Sequence, residues 1–130
     1  METFRVLLVD DEREFVSTLA ERLEIRGLTV SVAFDGQEAM KVLEEKAFDV
    51  IVLDVRMPGL SDLEILKRMK THRPDIPVIL LTGHSATRDG IEGMRLGAFD
   101  YLMKPVDIDQ LMGKMREAVV GQTSKTSGGS

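Results

Sequence analysis

Short apolar runs alternate with amphipathic stretches along nearly the whole chain. Val50-Ile51-Val52-Leu53 are four consecutive apolar residues, three of them β-branched. Such a run predicts a strand buried on both faces, as in a parallel sheet covered by helices. Arg5-Val6-Leu7-Leu8-Val9, Pro77-Val78-Ile79-Leu80-Leu81 and Tyr101-Leu102-Met103 predict further strands, and Thr29-Val30-Ser31-Val32 alternates as one. The segments between them have helical spacing. Phe15, Val16, Leu19, Ala20 and Leu23 share a helix face before a stop at Gly27. Asp35, with Glu38 three residues on, opens a helix through Ala39, Met40, Val42 and Leu43. Ser61-Asp62-Leu63-Glu64 reads as a capping box for a third helix carrying Leu66 and Met69. The stretch from Ser85 to Leu96 is a weaker helix, because Gly90 and Gly93 each cost about 1 kcal/mol relative to alanine, and Gly97 ends it. Asp107 caps a last helix with Ile108, Leu111, Met112, Met115 and Val119 on one face. Five βα units in succession predict an α/β fold, a single-domain, doubly wound, five-stranded parallel sheet with helices on both faces.

Composition narrows the function class. The chain has 130 residues, 43% hydrophobic and 30% charged, ordinary values for one globular domain. A net charge of -5 with no strongly basic stretch argues against direct contact with nucleic acid. Without cysteine there are no disulfides and no thiolate metal sites. No signal-peptide pattern or membrane-length apolar run is present, so a cytoplasmic protein with no membrane contact is expected. From Gln122 to Ser130 the chain is Ser/Thr/Gly-rich and lacks apolar residues, which predicts a flexible tail or the start of a linker after a domain spanning residues 1–121.

The strand ends carry the candidate chemistry: Asp10-Asp11, Asp54, Thr82 and Lys104. In a parallel sheet all of these lie on one edge, where open α/β sheets bind ligands. If the strand order is 2-1-3-4-5, the first and third strands are neighbours and Asp10, Asp11 and Asp54 meet in one crevice, flanked by Thr82 and Lys104. Two carboxylates about 4 Å apart repel by about 4 kcal/mol at an effective dielectric near 20. A hard divalent cation removes that problem, and carboxylate oxygens, a backbone carbonyl and retained waters are the ligands Mg²⁺ prefers. Lys104 supplies a second cation and Thr82 a hydroxyl donor for an anionic ligand. These parts suit phosphoryl transfer, with Asp54 as carboxylate nucleophile. Pro58-Gly59, just after Asp54, fits the middle of a type II turn.

Taken in order, Asp10-Asp11, Asp54, Met57-Pro58-Gly59, Thr82-Gly83, Tyr101 and Lys104-Pro105 resemble the receiver domain of bacterial two-component response regulators over residues 5–121. The resemblance implies the flavodoxin-like 2-1-3-4-5 sheet. It implies that Asp54 is the phosphoacceptor. Asp11, Asp54 and the backbone carbonyl of Arg56 would be direct Mg²⁺ ligands, with Asp10 acting through water. Thr82 and Lys104 would bind the phosphoryl group, Tyr101 would be the switch aromatic, and a cis bond before Pro105 would aim Lys104 at the site. The partners implied are a sensor histidine kinase or phosphotransfer protein, and a downstream target or covalently linked output domain; a homodimer formed on phosphorylation is an open alternative. The protein would catalyse only its own phosphorylation and dephosphorylation, and so would not be an enzyme in the usual sense. The glycine-weakened stretch from Ser85 to Leu96 is expected to shift most, and the fourth helix, fifth strand and last helix to form the output face.

Three rival readings fit less well. A phosphatase of the haloacid dehalogenase type also uses an aspartyl nucleophile, but in an Asp-x-Asp pattern after the first strand; here Asp10 is followed two places later by Glu12. A flavin or nucleotide binder needs a phosphate-cradling loop after the first strand, whereas Asp10-Asp11-Glu12-Arg13-Glu14 would repel phosphate. A receiver-shaped module that no longer takes phosphate does not need all of Asp10, Asp11, Asp54, Thr82 and Lys104. Two histidines remain. His84 could border the phosphoryl pocket or be a loop residue, and His72 reads as a solvated residue at a helix end.

Overall fold

The computed structural model describes residues 3–55, 60–83 and 86–128. Five strands and five helices alternate: β1 (Arg5–Val9), α1 (Arg13–Ile25), β2 (Thr29–Ala33), α2 (Gly36–Glu45), β3 (Val50–Val55), α3 (Leu60–His72), β4 (Val78–Thr82), α4 (Ala86–Arg95), β5 (Asp100–Met103) and α5 (Ile108–Gly128). All strand pairs are parallel and the order is β2-β1-β3-β4-β5. The order invoked from the sequence is therefore the observed one.

Strand side chains alternate between two apolar layers, as the pleat requires. On one face Val6, Leu8, Val50, Val52, Ile79 and Leu81 pack with Val16, Leu19 and Leu23 of α1 and Leu111, Met112 and Met115 of α5. On the other face Leu7, Val9, Ile51, Leu53, Val78 and Leu80 pack with Ala39 and Leu43 of α2 and Leu66 and Met69 of α3. This is why β3 reads as an unbroken apolar run: both of its faces are covered.

Three element ends and one glycine differ from expectation. β3 continues through Asp54 and Val55, which pair with Leu81 and Thr82, so Asp54 is the penultimate residue of the strand rather than a residue beyond it. α3 begins at Leu60, placing Ser61 inside the helix instead of ahead of it as a cap. Gly93 is a packing residue as well as a weak helix former, since a Cβ there would run into the Leu80 side chain. α5 runs on to Gly128, so the backbone expected to be a tail is helical. Once the turns bearing Leu111, Met115 and Ala118 are docked, each added residue costs little because it gains a hydrogen bond. The predicted stops at Gly27 and Gly97 hold for the expected reason: both adopt positive φ, at 95° and 108°. Asp35 Oδ1 accepts from the Glu38 N–H, and Glu38 Oε1 from the Phe34 N–H, close to the capping arrangement predicted for α2.

Candidate functional site

Asp10 leaves β1 with its N–H donating to Ala33 O at 3.1 Å, and its Oδ1 accepts from the Glu12 N–H at 2.9 Å. The aspartate thus folds its own loop in the manner of an Asx turn. Its other oxygen, Oδ2, is buried and has no hydrogen-bond partner among the described residues. Asp54 continues the side-chain series of Val50 and Val52, as Asp10 continues that of Leu8, so both point to the face covered by α1 and α5. Adjacent strands β1 and β3 bring the two carboxyls together. Asp54 is only 5% exposed, and neither carboxyl oxygen has a hydrogen-bond partner among the described residues.

Thr82 ends β4 fully buried, and its Oγ1 is unpartnered among the described residues. In the register of β4 with β5, Leu80 faces Tyr101 and Thr82 faces Met103. Thr82 and Tyr101 therefore share a face, and half-buried Tyr101 packs on the layer that contains Leu80. Lys104 is tied to the same strand end by its N–H, which donates to Thr82 O at 2.8 Å. The bond from Lys104 to Pro105 is cis.

The Lys104 ammonium is the electrostatic centre of the crevice. Its Nζ lies 2.9 Å from Asp54 Oδ1, 3.2 Å from Glu12 Oε1 and 3.6 Å from Asp10 Oδ2. Only the Glu12 contact has the alignment of a hydrogen bond. Burial pushes the Asp54 carboxyl up to about 7; Lys104 opposes the shift and the neighbouring Asp10 charge adds to it. Burial alone would lower Lys104, but the pairing with Asp54, Asp10 and Glu12 outweighs it and raises its pKa.

Carboxylate oxygens of Asp10, Glu12 and Asp54 lie within 4.8 Å of one another, close enough to hold one metal ion. Orphaned buried oxygens on an all-oxygen donor set fit a hard divalent cation such as Mg²⁺. Asp11, expected as a direct ligand, is exposed and is not in this group among the described residues. Glu12, two residues past Asp10 and brought round by the Asp10 turn, is the third carboxylate of the group. Arg56, Met57, Pro58, Gly59 and His84 lie outside the described residues. Two contributors were missed in the sequence. Glu12 was read only as part of a phosphate-repelling loop, and Phe15, whose ring centroid is 4.3 Å from Lys104 Nζ, only as a core residue. An acid two residues past Asp10 was a usable signal for the first; nothing local signals the second.

Comparison with known proteins agrees with this geometry. The family model of the response regulator receiver domain matches residues 6–116. The uncharacterized transcriptional regulatory protein YkoG of Bacillus subtilis is 36% identical over 97% of this chain and 55% of its own length. The transcriptional regulatory protein TctD of Salmonella typhimurium is 38% identical over 86% of this chain and 50% of its own. This chain thus spans about half the length of these curated relatives. Among solved structures, a response regulator receiver domain protein from Clostridium thermocellum superposes with a TM-score of 0.85 at 34% identity, covering 92% of this chain and 97% of that one. NtrX from Brucella abortus, in complex with ADP, superposes with a TM-score of 0.89 at 27% identity, over 97% of this chain and 28% of its own. No helix among the described residues is long and apolar enough to cross a membrane. With the sheet order, the carboxylate crevice and the match over residues 6–116 in agreement, this chain belongs to the family of response regulator receiver domains.

Proposed function

We propose that Asp54 accepts a phosphoryl group from the phosphohistidine of a sensor kinase, from a phosphotransfer protein or from a small acyl phosphate, and that the domain relays the change to an output. The observation that carries this reading is a buried aspartate set between a second buried carboxylate and a lysine, with Oδ2 unpartnered among the described residues. An ionised Asp54 oxygen attacks phosphorus, the bond from phosphorus to the donor nitrogen breaks, and its electron pair leaves with the donor imidazole. The product is an acyl phosphate on Asp54. Lys104 favours the ionised, nucleophilic form of Asp54.

Asp10, Asp54 and Glu12 would hold Mg²⁺, with Asp11 and the Arg56 carbonyl as the further ligands that membership of the family suggests. The bound cation would supply positive charge against the crowded carboxylates and the incoming phosphoryl oxygens.

The phosphoryl group adds roughly -1.5 to -2 charges and three acceptor oxygens at one point. The Thr82 hydroxyl, unpartnered among the described residues, would donate to one of them and Lys104 would pair with another. Tyr101, on the same face as Thr82, would follow the hydroxyl inward. The change would then reach α4, β5 and α5, where Ile91, Met94, Met103 and Val120 expose apolar surface. A linked output domain, a separate target or a second copy of the chain would dock there, with no direct nucleic-acid contact by this acidic domain. Its similarity to transcriptional regulatory proteins supports an output in transcription, and a cytoplasmic setting is part of the same proposal. The domain would catalyse only its own phosphorylation and dephosphorylation.

A small acyl phosphate added with Mg²⁺ should raise the intact mass by one phosphoryl group. Chelation of the metal, or Asp54→Asn, should remove the increment. An unchanged increment in Asp54→Asn would reject Asp54 as the acceptor.

A further inference from the structure

Among the described residues, Lys104 has four close charged or aromatic neighbours in the crevice, and they are of two kinds. Asp10, Glu12 and Asp54 are carboxylates, and the same three could hold a metal ion. The fourth is the ring of Phe15, in the first turns of α1, with its centroid 4.3 Å from Nζ. A divalent cation competes with the ammonium for every carboxylate and repels it as well. It does not compete for the ring, because a hard cation keeps oxygen ligands while the π-face attracts an ammonium through its quadrupole.

From this the geometry points to Phe15 as a positioning residue. Its ring holds Lys104 beside Asp54 once the carboxylates are occupied by metal, keeping the ammonium where a phosphoryl oxygen will need it. The inference rests on the phosphoacceptor reading above and adds a residue that the reading does not use. Phe15 is half-buried against the α1 and α5 layer, so its body is anchored and the ring has little freedom to follow a departing lysine. Glu12 serves the opposite state. Its hydrogen bond to Nζ holds the lysine while metal is absent and is surrendered when the metal arrives.

The test follows the Lys104 Hε signals by NMR, assigned with a Lys104→Arg sample, during an Mg²⁺ titration of the full chain. Protons held over an aromatic face resonate upfield. The upfield position should persist at saturating Mg²⁺ in the wild type and vanish in Phe15→Leu, which keeps an apolar side chain in the core. At saturating Mg²⁺, Phe15→Leu should accept phosphate from a small acyl phosphate about three- to tenfold more slowly. Phe15→Tyr, which retains the π-face, should react at close to the wild-type rate. Equal rates for the leucine and tyrosine variants, or Hε signals that move to the free-lysine position as Mg²⁺ binds, would overturn the inference while leaving Asp54 as acceptor. If Mg²⁺ shifts neither the Asp10 nor the Asp54 amide, the phosphoacceptor reading fails and this inference with it.

Discussion

Lys104 Nζ stands 2.9 Å from Asp54 Oδ1 in a buried ion pair, while Asp54 Oδ2 is left without a partner among the described residues. The lysine compensates the charge of the carboxylate at one oxygen and leaves the other without a donor among the described residues. A crevice arranged this way has part of its negative charge offset and still has acceptor capacity for a cation.

The pH dependence of stability follows from Asp54. Its carboxyl is pushed up from 3.8 to about 7, first by burial. An acid whose folded-state value is raised favours the folded state fully below its unfolded value, and that contribution disappears as pH rises through the folded value. Metal-free protein should therefore lose on the order of 2–4 kcal/mol from this group between about pH 4 and pH 7. Asp54→Asn should flatten that slope and be the more stable protein at neutral pH. Urea unfolding at a series of pH values in chelator measures both, and parallel slopes for the two proteins would refute the assignment.

Removing the internal cation should do the reverse. Lys104→Ala leaves Asp10, Glu12 and Asp54 facing one another uncompensated. A loss of about 1–3 kcal/mol is expected at neutral pH, recovered at low pH or by added Mg²⁺. A loss that neither acid nor Mg²⁺ restores would mean that Lys104 supports the fold by packing and not by charge.

Metal itself should stabilise the wild type. A ligand at a hundred times its dissociation constant adds about 2.7 kcal/mol, which corresponds to a Tm rise of several degrees. Asp10→Asn should abolish most of that rise, because it alters a buried carboxylate of the cluster. Thermal melts in Mg²⁺ and in chelator provide the comparison. An undiminished rise in Asp10→Asn would take Asp10 out of the metal site.

Gly93→Ala sets helix propensity against packing. Propensity alone favours alanine by about 1 kcal/mol. The added Cβ, however, would run into the Leu80 side chain in the layer beneath α4. A net destabilisation of about 1–3 kcal/mol is expected, since crowding a packed core outweighs the propensity gain. Increased stability in chemical denaturation would show that Leu80 moves aside freely.

Much of the fold could be read from the chain because the sheet is buried on both faces. Val6 to Val9, Val50 to Leu53 and Val78 to Leu81 are apolar at nearly every position, and only a covered parallel sheet accommodates that. The strand ends then announced Asp10, Asp54, Thr82 and Lys104, because strand direction alone puts them on one edge. What local reading missed is what depends on contacts between distant segments. Glu12 meets Lys104 across 92 positions of sequence, and the charge of the loop said nothing of that partner. Phe15 has the spacing of a core residue, and it is one; its second role appears only when β5 delivers Lys104 over the ring. Gly93 looked like a defect in α4 until the Leu80 side chain was seen beneath it. The helical course of α5 to Gly128 was hidden because that stretch carries no apolar periodicity to signal it.

The most direct test of the account locates the phosphoryl group itself. Protein treated with a small acyl phosphate and Mg²⁺ can be reduced with borohydride, which converts an aspartyl phosphate to homoserine, and then sequenced by tandem mass spectrometry. The account predicts homoserine at position 54 and at no other aspartate. Reduction at a different aspartate, or a phosphoryl mass that persists without any reduced residue at position 54, would contradict it.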